Sequence, residues 1–75
     1  MDIERQTITV DELLSIYEKW ERNFTGIDLS SVDLSGVNLT GVDLTRAVLN
    51  YANLSGAILI GADLRGARLR EAFLE

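Results

Sequence analysis

Apolar positions recur along most of this chain with a period of five. Leu29, Leu34, Leu39, Leu44, Leu49, Leu54, Leu59, Leu64, Leu69 and Leu74 keep the register without a miss, and only Leu13 and Leu14 fall outside it. At this leucine content ten consecutive hits have a chance probability of roughly one in a hundred million, so internal repetition is the first fact to explain. Two positions before each leucine stands a smaller apolar residue: Ile27, Val32, Val37, Val42, then Ala47, Ala52, Ala57, Ala62, Ala67 and Ala72. A spacing of two puts both side chains on one face of an extended segment and turns the residue between them outward.

That outward residue is mostly Asp or Asn, as at Asp28, Asp33, Asn38, Asp43, Asn53 and Asp63, and the fifth position is glycine at Gly36, Gly41, Gly56, Gly61 and Gly66. Each unit therefore reads as a very short strand followed by a corner. A period of five fits neither the 3.6-residue stripe of an α-helix nor a heptad, and one unit cannot bury its own leucine. Stability has to come from stacking turn upon turn at about 4.8 Å, with the leucines as a continuous inner column. The pattern predicts an all-β solenoid.

The units Val32–Gly36 (VDLSG), Ala52–Gly56 (ANLSG) and Ala62–Gly66 (ADLRG) resemble the pentapeptide-repeat family, whose loose pattern is A(D/N)LxG, and the resemblance covers residues 27–75. It implies a right-handed, four-sided β-helix with one pentapeptide per side and about twenty residues per turn, hence about two and a half turns here. In its small size it resembles the short repeat proteins abundant in cyanobacteria. The family motif specifies this fold and says little about function.

Carried backwards, the register places Phe24 at the leucine position of a degenerate first unit, Arg22–Gly26, with Arg22 where a small inward residue belongs. Ahead of it Leu13, Ile16, Tyr17, Trp20 and Phe24 follow helical spacing, and Thr9 with Glu12 makes a capping box. The expectation is a capping helix over about 10–22, within an N-terminal segment 1–26 that precedes the repeats of 27–75. Leu13, Ile16, Tyr17, Trp20 and Phe24 would form a lid on the first turn, with the Phe24 ring plugging the column. At the other end the sequence shows no helix after Leu74. An uncovered last turn exposes strand edges and leucine side chains, which makes it a candidate contact surface for a second copy or another protein; truncation from a longer chain is the alternative.

Rotating the units over four sides gives outward columns: Asp28, Val48 and Arg68; Asp33, Asn53 and Phe73; Asn38 and Ile58; Asn23, Asp43 and Asp63. Asp43 and Asp63 would sit about 5 Å apart, near the carboxylate spacing of a retaining glycosidase. An open wall with Arg46 and Arg65 nearby supplies neither cleft nor desolvation, and two carboxylates offer too few ligands for a metal. The pattern breaks in an apolar direction at Val48, Tyr51, Ile58, Ile60 and Phe73, which together with Leu74 form a candidate interface.

Composition narrows the chemistry. The 75 residues include no Cys and no His, which excludes disulfides, thiolate nucleophiles, Cys/His zinc sites and imidazole catalysis. No enzymatic activity, cofactor or metal is expected. The net charge of −5 argues against direct nucleic-acid binding. Met1–Glu12 is acidic and lacks the apolar run of a signal peptide, and no stretch spans a membrane, so the expected setting is cytoplasmic, without membrane partners. Asn23-Phe24-Thr25, Asn38-Leu39-Thr40 and Asn53-Leu54-Ser55 match the glycosylation acceptor only because the repeat generates them.

The leading expectation is a non-enzymatic structural or protein–protein interaction module, with a protein partner or self-association through the open C-terminal turn. The rival comes from the resemblance: some pentapeptide-repeat proteins inhibit DNA gyrase by imitating duplex DNA as an acidic rod. Residues 27–75 hold six acids and four bases, net −2. A rod of about 12 Å would have to imitate roughly seven phosphates, one per 1.7 Å, which that charge does not match.

Overall fold

The computed structural model describes residues 8–75. The first seven residues, part of the 1–26 segment and of the acidic N-terminal stretch, lie outside the described residues. One helix, α1 (Val10–Glu18), opens the described chain. Its start follows from local chemistry. Thr9 accepts a hydrogen bond from the Glu12 amide at 3.1 Å, and the Glu12 carboxylate accepts one from the Thr9 amide at 2.9 Å, closing the box read from the sequence. Ile8 just before the cap and Leu13 in the second turn are both buried, the placement of a hydrophobic staple.

The helix is shorter than the expected 10–22. It stops at Glu18, with Lys19 at the C-cap and Trp20 in the left-handed region at φ 73°, so the chain reverses there. This geometry corrects the expected lid. Leu13 and Phe24 are fully buried, Ile16 and Tyr17 pack half-buried against the core, and Trp20 is 85% exposed. The turn that ends α1 swings Trp20 off the apolar stripe its spacing implied.

After the helix the chain coils. Parallel bridges join Asn23 to Asp43 to Asp63, Asp28 to Val48 to Arg68, Asp33 to Asn53 to Phe73, and Asn38 to Ile58. Each bridge links residues twenty apart, so twenty residues complete a turn and the four outward columns are those read from the repeat. The series starts at Asn23, and the Phe24 and Gly26 amides donate to the Asp43 and Thr45 carbonyls at 2.8 and 2.9 Å. The unit 22–26 is thus already part of the coil.

The expected short strands appear only as isolated bridges. Two of every five residues turn the corner, and of the remaining three only the middle one sits squarely in register with the turn above. Between turns the bonding is regular: an inward leucine amide donates forward, as Leu39 does to Ile58 at 2.8 Å, and an outward amide donates back, as Val48 does to Ile27 at 2.8 Å.

The core is the leucine column closed by Phe24. Leu29, Leu34, Leu39 and Leu49 have no exposed surface, Leu59, Leu64 and Leu69 are half-buried, and Leu74 is 61% exposed. The gradient follows from stacking: a leucine is sealed by the turns on both sides, and the last turn is covered on one side only. Leu39→Ala should cost about 3 kcal/mol in urea unfolding, whereas Leu74→Ala should cost under about 0.5 kcal/mol. Equal losses at the two positions would contradict this packing.

Candidate functional site

The outward carboxylates and amides have a local task that spacing alone did not reveal. The Oδ1 of Asp33 accepts the Ser35 amide at 3.0 Å and the Ser35 hydroxyl at 2.6 Å. Asn23 with Thr25, Asp28 with Ser30, Asn38 with Thr40 and Asp43 with Thr45 make the same pair of bonds. Asn53 receives the Ser55 amide at 2.9 Å. These are Asx turns: the side chain of one side folds onto the backbone two residues on and bends the chain into the corner. Only Oδ1 is used, so Asp and Asn are interchangeable, and a hydroxyl two positions later is the signal in the sequence.

Asp43 and Asp63 do stack on one side, joined by a bridge. Asp63 is engaged by Arg65, whose Nε and Nη2 donate to its two oxygens at 2.9 and 2.6 Å, while Asp43 is held by Thr45. Hydrogen bonding from Ser35 and from Thr45 holds the Asp33 and Asp43 carboxyls below the ordinary range, and Arg65 pulls Asp63 down to about 2. All three stay ionised at neutral pH. Among the described residues no group of three or more potential ligands is arranged to hold a metal ion, and no helix is long and apolar enough to cross a membrane.

At the top of the coil Arg22 does what a small residue could not. Its guanidinium lies 3.5 Å from the Tyr17 ring centroid and 5.7 Å from that of Trp20, and Nη1 donates to the Tyr17 carbonyl at 2.6 Å. A cation thus meets the C-terminal end of α1, at a carbonyl that also accepts the Trp20 amide at 3.0 Å, while stacking on an aromatic face. The Tyr17 hydroxyl in turn donates to the Thr40 carbonyl at 2.8 Å and ties the helix to the coil. Spacing identified Tyr17 as lid but missed Arg22; the aromatic residues five and two positions before it are the available cue.

The candidate interface residues do not form one group by burial. Tyr51, Ile58, Ile60, Phe73 and Leu74 are exposed, whereas Val48 is half-buried between Asp28 above and Arg68 below, and so drops out of the exposed set. Among the described residues Ile60 is the most exposed isoleucine at 72%, at a corner whose backbone meets Gly41. The last turn also presents backbone. Among the described residues the Leu59, Leu64 and Leu69 amides donate no backbone hydrogen bond, where their counterparts one turn earlier donate to the turn below.

The corners differ. Those containing Gly36 and Gly56, and Gly41 and Gly61, are all glycine, and Arg46 interrupts Gly26 and Gly66, every one at positive φ. The fourth has no glycine: Ser31, Tyr51 and Glu71 occupy it at φ 62°, 65° and 56°. For residues with a Cβ this conformation costs roughly 1–2 kcal/mol each.

The family model for pentapeptide repeats matches in 8 copies, over residues 23–59 and 38–75. A pentapeptide repeat protein from Nostoc PCC 7120, solved by crystallography, is similar at 30% identity with a TM-score of 0.58, over 100% of this chain and 76% of that one. Both support a right-handed β-helix. Among curated proteins no relative matches the chain.

Replacing Asp43 by Asn, which keeps the acceptor and loses only its charge, should cost less at pH 7 than Asp43→Ala, which should cost about 1 kcal/mol because Ala alone loses the corner bonds. The depressed carboxyls bind protons more weakly folded than unfolded. Their contribution is therefore complete above the ordinary carboxylate pKa and is lost as pH falls, down to about 2 for Asp63. Urea midpoints should fall from pH 4 toward pH 2, less steeply when positions 33, 43 and 63 all carry Asn. A midpoint flat with pH would contradict the assignment.

Proposed function

The chain belongs to the pentapeptide-repeat family, and from that premise we propose that it is a non-enzymatic structural and protein–protein interaction module, a coil of about two and a half turns whose C-terminal turn pairs with that of a second copy. The observation behind this reading is the apolar surface of the C-terminal turn: Ile60 is 72% and Phe73 65% exposed although both face outward, and Leu74 is 61% exposed beside Phe73. Exposed apolar side chains grouped on one turn mark a surface that proteins generally cover. The N-terminal end of the coil is occupied by α1, with Tyr17 bonded to Thr40 across the junction. Self-pairing would therefore bring two C-terminal turns together about a two-fold axis.

The acidic DNA-mimic reading has less behind it. Asp33, Asp43 and Asp63 are drawn into corner bonds, and Arg46, Arg65, Arg68 and Arg70 interrupt any acidic run on the lower turns.

Light scattering over a hundredfold concentration range tests the proposal. The native chain should double in mass as concentration rises, and Leu74→Glu should remain a monomer. A native chain that is monomeric throughout, or a dimer that Leu74→Glu leaves intact, would overturn end-to-end pairing.

A further inference from the structure

The corner without glycine is the one place where the coil accepts repeated backbone strain, and the side chains held there do nothing for the fold. Ser31, Tyr51 and Glu71 are exposed, and among the described residues their side chains make no hydrogen bond or ion pair. Elsewhere, apart from Arg46, glycine makes the same corner without strain. Residues kept in a sparsely populated backbone region point from the outlier to a function, here the display of side chains at a fixed spacing on a rigid edge.

What lies beside the corner indicates the partner. Arg68 and Arg70 flank the inward Leu69, so both project outward on the segment that enters the corner. The Arg70 amide is held by the Asn50 side chain at 2.9 Å, which fixes the segment against the turn above. The ion pair found among the described residues is that of Arg65 with Asp63, so the Arg68 and Arg70 guanidinia make no ion pair there, and the acid of the corner is the single Glu71. Tyr51 is 50% exposed above them. Aromatic and arginine side chains dominate binding energy at protein interfaces. Two guanidinia ask for carboxylates, whereas a nucleic acid would meet too few cations on a chain of net charge −5.

We propose that the Ser31–Tyr51–Glu71 corner, with Arg68 and Arg70 beside it, is a docking ridge for an acidic protein segment carrying an apolar residue against Tyr51. This rests on the interaction-module reading but not on self-pairing. A chain that stays monomeric and binds such segments keeps the ridge and loses the end-to-end contact; a dimer that binds none does the reverse.

The test is selection of 12-residue peptides from a displayed library on the native chain, followed by titration of the selected peptides. They should be rich in Asp and Glu, bind at least tenfold more weakly to Arg68→Glu/Arg70→Glu and to Arg68→Ala/Arg70→Ala, and bind more weakly to Tyr51→Gly. Tyr51→Gly should at the same time melt a few degrees higher, since strain is relieved. That combination, tighter fold and weaker binding, separates display from a structural role. A library that yields no binder, peptides without acidic excess, binding indifferent to both arginine variants, a lower melting temperature for Tyr51→Gly, or equally tight binding of a 20-base-pair DNA duplex would each overturn the proposal.

Discussion

The inward leucine amide, donating to a carbonyl one turn further on, is the contact on which the rest of the structure depends. Leu29 donates to Val48 at 2.8 Å, Leu34 to Asn53 at 2.7 Å and Leu44 to Asp63 at 2.8 Å. Because the outward neighbour returns a bond to the turn before, each side is stitched in both directions, and the leucine between them can face only inward. Turn spacing, the leucine column and the outward columns are then one geometry seen three ways. No single pentapeptide could bury its leucine, so the fold exists only as a stack.

A stack of this kind needs two things the interior does not supply: sharp corners and a closed top. The corners are made locally, by Asx turns from Asp or Asn onto Ser or Thr and by residues at positive φ, so almost every outward polar side chain is already committed. This commitment leaves Asp43 and Asp63, although stacked on one side, each bonded within its own corner. The top is closed by Phe24 inside the column and by α1 above it, with Arg22 and Tyr17 linking the helix end to the coil. Neither task uses the exposed apolar side chains of the lower turns or the side chains of the glycine-free corner, and these are the two places where recognition is proposed.

Much of this was legible in the residues. Leucine at every fifth position dictated an extended, stacked coil, and alternation around each leucine fixed which residues face out. Five alone could not give four sides; family resemblance supplied that number, and the twenty-residue bridges carry it. The helix start was readable because Thr9 and Glu12 act within one turn. Its end was not, because Trp20 keeps helical spacing while its backbone leaves the helix at φ 73°. In the sequence Arg22 stands only as a departure from the repeat, because its partners, the Tyr17 ring and carbonyl, come together only once α1 has folded back. The glycine-free corner was likewise hidden, since Ser31, Tyr51 and Glu71 share an edge only when units are wound four to a turn.

The central claim is that amides of one turn bond to carbonyls of the next at a fixed separation in sequence. Scalar couplings across hydrogen bonds, read by NMR from amide nitrogen to carbonyl carbon, test it directly. The account predicts couplings from Leu29 to Val48, Leu34 to Asn53 and Leu39 to Ile58. Couplings at a different sequence separation, or none on these leucines in a folded chain, would contradict it.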